Sequence, residues 1–428
     1  MSDITNPVLL DTTGQEFKNK LNGALNTLQD IAQYKRRKLE NTVHYGIRID
    51  KNDSNPATRM TYMYDCVGFT PAHMDFTNGK FDYGSWGDAF FVRNNYPAMV
   101  KFDGTEDYRL SKDNQNYKED GVTASDVANV NYAGNAMSVF NCKIWLYLHE
   151  DDNYEYIEVS NIKFNENFYD YGYVRADGTH ADKLYYPMFA GYKDSAGKLR
   201  SIADAVPWYN TGGTQNEINA ASATGSNWQI MDYAHKIVLN SLLWLMGLND
   251  NTQAVYGTGK ADGYVDDASQ NYGMINTGTL KDKGQFFGYN DSDHEVKVFF
   301  IEKWWGNRLD RCLGLMSLLG VLKYKLTPPY NLTGDGYISV PNYTLPEEGW
   351  IQLTTTGYFG RIPKTVSVYS TTYVCDYLRV NKTRQYAVAL FGSCVGNNSQ
   401  CGALAMNVDN EASRSYQVFG PSAYLIQP

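Results

Sequence analysis

Cysteine is scarce in this chain: Cys66, Cys142, Cys312, Cys375, Cys394 and Cys401 are the only six among 428 residues. None forms a CxxC pair or stands at zinc-ligand spacing from a histidine, which excludes a zinc motif and argues against a disulfide framework. Such usage suits assembly in a reducing compartment. Long apolar runs are also lacking. The most apolar stretch, Ile237 to Met246, is broken by Asn240 and Ser241 and is far too short to span a bilayer. Met1-Ser-Asp-Ile-Thr is acidic and has no apolar core, so no signal peptide is expected. Positive charge is in deficit, 38 Lys plus Arg against 47 Asp plus Glu, and a net charge of −9 argues against a nucleic-acid binder with a basic face. No P-loop, G-x-G-x-x-G after a strand, G-x-S-x-G or H-E-x-x-H occurs. The acidic runs Asp262 to Asp267 and Asn290 to Asp293 lack calcium-loop spacing, so they read as solvated loops and neither metal nor cofactor is expected.

What the chain has is tyrosine, 35 residues, and glycine, 37. With Asn and Ser they suit β-rich folds with ordered loops, and they are also the palette of binding loops, where Tyr gives wide contact at low entropy cost. Residues 12 to 40 predict a helix. Thr13 to Glu16 has capping-box form, and Phe17, Leu21, Ala24, Leu28 and Ile31 follow the 4-3-4-3 spacing of a short self-associating or docking seam. Residues 41 to 155 predict a β-rich domain, with strands at Val43 to Ile49, Met60 to Tyr64 and Cys142 to Leu148. Residues 156 to 428 predict a further domain. It holds strand-like segments near Tyr156 to Val159, Tyr171 to Val174 and Tyr185 to Phe189, and a helix from Trp228 to about Gly247 capped by Asn227.

Three segments then stand in order. Asn249 to Gly259 carries Gln253 before Gly257-Thr-Gly259. Glu302-Lys-Trp-Trp305-Gly306-Asn307 pairs Glu and Asn with two tryptophans. From Phe391 to Gly420, small or apolar residues (Gly392, Gly402, Ala403, Leu404, Ala405, Gly420) alternate with residues sharing no chemistry. Together they resemble the variable proteins of diversity-generating retroelements, which end in a C-type-lectin-like domain of the formylglycine-generating-enzyme type and in phages form the host-binding tip. One glycine and a tryptophan of the family's Gly-Gly-Ser-Trp portion are absent at Leu390 to Cys394.

The resemblance implies an α+β chain: an N-terminal helix (1–40), a β-rich domain (41–155) and a C-type-lectin-like domain with long irregular loops (156–428), variable over about 365–420. It implies a phage receptor-binding or tail-fibre-type adhesin, not an enzyme, with no catalytic residues. The adhesin would be assembled in the bacterial cytoplasm, carried on the virion and homo-oligomeric, with a trimer favoured. Its partners would be a host surface protein or glycan and other virion proteins, without nucleic acid or membrane insertion. The expected ligand-binding residues are Tyr369, Tyr373, Cys375, Tyr377, Ser393, Cys394, Cys401, Ser415 and Tyr416. Period two would place Tyr373, Cys375 and Tyr377 on one outward strand face. The alternatives are an enzyme on the formylglycine-generating-enzyme fold, such as an oxidase, or a glycan hydrolase, and a purely structural virion protein. Glu302, Trp305 and Asn307 are expected to hold scaffold rather than ligand.

Overall fold

Tyr45, Ile47 and Ile49 alternate with Gly46 and Arg48, and this period-two pattern forms the strand His44–Asp50. It lies inside a four-stranded antiparallel sheet, between Met60–Tyr64 on one side and Tyr154–Ser160 followed by Trp145–Glu150 on the other. The computed structural model describes residues 18–26, 28–29, 42–209 and 212–426. Strand outweighs helix, 31% against 14%, and one sheet is curled, so the mixed, strand-rich α+β class holds.

A second, six-stranded antiparallel sheet runs in the order Trp228–Gln229, Tyr424–Leu425, Leu184–Pro187, Gly134–Phe140, Asn95–Lys101, Glu106–Arg109. It takes strands from both sides of the division expected at 155/156, and one apolar cluster likewise joins Ile47 and Ile157 to Leu242 and Phe391.

The third sheet has nine strands and is mixed. Its centre is the strand Leu309–Leu318, paired antiparallel with Ala387–Phe391 and parallel with the two-residue strand Phe419–Gly420. Beyond Ala387–Phe391 come Met406–Val408 and then Tyr377–Val380, the last pair parallel. Gly349–Gly357 and Gly360–Ser367 complete that side.

Against this sheet packs the helix Tyr233–Gly247, buried along its whole length. Its start differs from expectation. Asp232 caps it, its carboxylate accepting the His235 amide at 2.9 Å. Asn227 instead accepts the Ile426 amide, and Trp228 enters a strand opposite Leu425. The stop also differs: Leu248, not Gly247, turns left-handed at φ 47°. Tyr171 to Val174 forms turns rather than a strand. In the expected N-terminal helix, residues 18–26 and 28–29 are helical, and Leu21, Leu25 and Leu28 are exposed. Phe17, Ile31 and the capping box lie outside the described residues.

Candidate functional site

The three segments singled out in the sequence meet in space. Trp305 is fully buried and its indole N–H donates to the Gly257 carbonyl at 3.1 Å. Gly259, at φ +78°, lies so close that a Cβ there would stand 2.9 Å from the Trp305 carbonyl oxygen. The Gly306 amide in turn donates to the Gly392 carbonyl at 2.9 Å. Gly392 sits at φ +85°, where a Cβ would come within 2.9 Å of the Trp304 carbonyl. Asn307, also fully buried, exchanges hydrogen bonds with both backbone groups of Ile275, at 3.1 and 3.2 Å, and donates to Glu295 at 2.6 Å. Glu302 accepts the Leu280 amide at 3.2 Å. These residues satisfy loop backbone, as expected, and none lines the cavity described next.

From Gly392 the chain leaves the sheet, loops through residues 393–405, returns as Met406–Val408 and loops again to Phe419. Between the two loops lies an open cavity of about 410 Å³. Its floor is apolar: Leu309, Val418 and Phe419, with Cys394, belong to a small cluster under the sheet. Its walls are polar. Parallel pairing sets Arg379 opposite Asn407, and strand alternation turns both away from Leu378 and Met406, which join the main core. Asn397, Asp409, Asn410, Arg414 and Tyr416 complete the lining. A smaller hollow adjoins it, sharing Leu309, Arg379, Asn397 and Asn407 and adding Tyr377, Ser393 and Gln400.

Several of these groups are held in place. The Arg379 guanidinium donates to Gln400 at 2.8 Å and stands 3.6 Å from Glu348. The same Glu348 oxygen accepts the Tyr377 hydroxyl at 3.2 Å; burial first, then this carboxylate, push the Tyr377 pKa up. Asn397 accepts from Ser393 at 2.9 Å and from the Cys394 thiol at 2.8 Å. Asn410 donates to Asn407 at 3.2 Å. Tyr416 packs on Phe419 with ring centroids 5.6 Å apart. The Arg414 carbonyl accepts from buried Arg311, which anchors its backbone, while its side chain is exposed and has no ion pair among the described residues. Two guanidiniums, one carboxylate, three amides and a phenol around an apolar floor can bind a polar ligand in several orientations.

Of the nine residues expected to bind ligand, Tyr377, Ser393, Cys394 and Tyr416 line this cavity pair. A binding face would need its residues exposed, and for four of the nine this is corrected. Ser393, Cys375 and Cys394 are at most 8% exposed, and Cys401 is fully buried. The reason is apolar demand: Cys394 fills the cluster with Leu390 and Phe419, and Cys401 belongs to the main core. The shared strand face of Tyr373, Cys375 and Tyr377 is also corrected. Tyr373 and Cys375 are left-handed, at φ 58° and 65°, and the strand begins only at Tyr377. Tyr373 turns to the Arg59 guanidinium, 5.1 Å from its ring, and its amide donates to Ser54 at 2.7 Å. Tyr369 is 66% exposed on a separate loop, and Ser415 is partly exposed beside the cavity without lining it.

Arg379, Asn397, Asn407, Asp409, Asn410 and Arg414 escaped the sequence reading. A signal was present in the Asn- and Asp-rich turn after Met406, which reads as a turn and equally as a set of hydrogen-bonding side chains. No group of His, Cys, Asp and Glu suited to a metal occurs among the described residues, nor does a helix long and apolar enough to cross a membrane. No protein-family model matches the chain, and no curated protein matches it.

Proposed function

We propose that this chain is a phage receptor-binding protein of the retroelement-diversified kind. In this reading residues 156–428 form its C-type-lectin-like part, and the cavity between the two C-terminal loops binds a host surface protein or glycan. The observation that carries the reading is the convergence of three sequence-distant anchors under one loop pair. The Gly306 amide, between buried Trp305 and Asn307, holds the Gly392 carbonyl, and the loops that follow Gly392 carry the mixed-chemistry residues. Such an arrangement lets rim side chains change while the scaffold below stays constant. The exposed Leu21, Leu25 and Leu28 suit a helix that associates with copies of itself, as a virion trimer would require. Several copies would add avidity to a modest single-site affinity.

The mechanism is adhesion. Cys394 and Cys401 do not suit oxidase chemistry, because burial pushes the Cys394 thiol up to about 12 and raises Cys401 further, away from the reactive thiolate. The test is whole-cell binding across a panel of bacteria with the wild type and an Arg414→Ala/Tyr416→Ala variant. Hot-spot truncations of Arg and Tyr weaken binding by at least about thirtyfold. Loss of attachment with an unchanged melting temperature supports the cavity as the binding face, and full attachment by the variant refutes it. Sequencing the surrounding locus tests diversification: a near-copy of the 3′ coding region, differing at adenines, is expected.

A further inference from the structure

The helix Tyr233–Gly247 and the curled sheet enclose a second hollow, unrelated to the open cavity. Tyr233, Lys236, Asn240 and Trp244 line it from the helix, Arg361 and Phe391 from the sheet, and all six are at most 4% exposed. The space open to the centre of a water-sized sphere is about 10 Å³. That is room for one small particle, and a sphere of that volume has a radius of about 1.3 Å, so an ion a few tenths of an ångström larger than water still fits.

The polar groups around the hollow divide sharply. Asn240 is engaged on both ends, donating to the Ala403 carbonyl at 2.7 Å and accepting the Trp304 indole N–H at 2.8 Å. Arg361 is engaged by Asp250, Glu155 and Thr354. Three groups are left over, and all three carry donors. The Tyr233 hydroxyl and the Trp244 indole N–H are buried without a partner. The Lys236 ammonium has neither a hydrogen bond nor an ion pair among the described residues and lies over the Trp304 ring at 3.9 Å and the Phe391 ring at 5.3 Å. Orphaned buried donors are rare, and a buried ammonium without a counter-charge is rarer. Asp310 and Asp376 are near enough to be felt by the ammonium, but neither forms an ion pair with it. Asp310 is paired with Lys303, and Asp376, whose carboxyl burial pushes well up, accepts the Leu404 amide at 2.7 Å.

We infer that this hollow holds a single monoatomic anion, chloride in the cell, bound by the Lys236 ammonium, the Tyr233 hydroxyl and the Trp244 indole N–H. A water molecule must place two hydrogens of its own, and among the leftover groups only the Tyr233 hydroxyl can also accept. A halide accepts from all three and puts a negative charge in contact with the Lys236 ammonium, which no carboxylate does among the described residues. Without it, burial draws the Lys236 pKa down to about 7; with it, the ammonium stays charged. The anion would lie between the central helix and the sheet, so halide concentration would act on the stability of the core.

Two measurements test this on the full chain. Crystals grown in sodium bromide and measured at the bromine absorption edge should show an anomalous peak in the hollow. Thermal unfolding in sodium chloride against sodium gluconate at equal ionic strength should show a midpoint that rises with the logarithm of chloride concentration. Lys236→Met, which keeps the volume and removes the charge, should abolish that rise. Tyr233→Phe removes one donor and should weaken halide affinity roughly tenfold or more, which keeps the solution test usable if Lys236→Met does not fold. A hollow that contains only water or nothing in bromide overturns the inference. So does a chloride dependence unchanged in both variants.

Discussion

Arg361 closes both terminal nitrogens of its guanidinium on the carboxylate of Asp250, the second contact at 2.9 Å, with both side chains at most 4% exposed. The same guanidinium reaches Glu155 at 3.0 Å, and Arg59 meets the Asp250 oxygen of that second contact at 3.0 Å. Burial pushes the Glu155 carboxyl up, but Arg361, Thr354 and Thr356 outweigh it and hold the group below its usual range. Two sheets and the segment after the central helix are thus tied through one side chain. Removing one member leaves charge buried and uncompensated. Arg361→Met should lower stability by about 3–5 kcal/mol, as read from urea unfolding at neutral pH. A loss under about 1 kcal/mol would show the tie to be dispensable.

Glu295 gives a pH signature. It is 2% exposed, and burial, then the neighbouring Glu302, push its carboxyl up to about 8. In the unfolded chain the same group titrates near about 4.3. Its folded pKa is the higher, so the folded state holds the proton more tightly. This contribution to stability is complete below about pH 4 and is lost progressively as pH rises towards 8. Glu295→Gln keeps an oxygen for Asn307 and should flatten the fall in stability between those limits. Unfolding midpoints at pH 5 and 8 for both proteins, with identical differences, would contradict it.

Trp305→Ala tests the scaffold under the cavity. Truncating a fully buried indole should reduce stability by about 3–5 kcal/mol, and attachment should fall only through loss of folded protein. A Trp305→Ala protein of wild-type stability that fails to bind would move this residue from scaffold to ligand contact.

Thiol labelling separates adhesion from cysteine chemistry. In the native protein Cys394 is 5% exposed, burial pushes its thiol up to about 12, and Cys401 is fully enclosed. Neutral-pH iodoacetamide should leave both unmodified, while denaturant should expose all six thiols. Rapid native alkylation at Cys394 would reopen the oxidase alternative.

Where the physics is local, the sequence reading agrees with the structure. Alternation around Ile47 and at Met60–Tyr64 gave strands in nearly the expected places, and the Glu302 to Asn307 segment is scaffold. The central helix was visible from its apolar spacing, but its start was not. Asn227 and Asp232 are both competent caps, and only the strand partner at Tyr424–Leu425 removes the first from contention. The candidate site was legible by location more than by residue. Left-handed backbone at Tyr373, Cys375 and Ser393 breaks the period-two rule without a glycine to announce it. Arg379 and Asn407 become neighbours through a parallel pairing 28 residues apart in sequence, for which no short-range pattern exists.

The strands Phe419–Gly420 and Tyr424–Leu425 close two different sheets, the first beside Leu309 and the second between Leu184–Pro187 and Trp228–Gln229. During synthesis the first sheet cannot be completed until residue 420, nor the second until residue 425, has left the ribosome. A frameshift or stop codon anywhere in the loops before Phe419 therefore yields a chain that cannot bury its own interior, rather than a folded one with a defective tip. Proteolysis would clear such products. Copies that fold would carry an intact loop pair whatever side chains it displays.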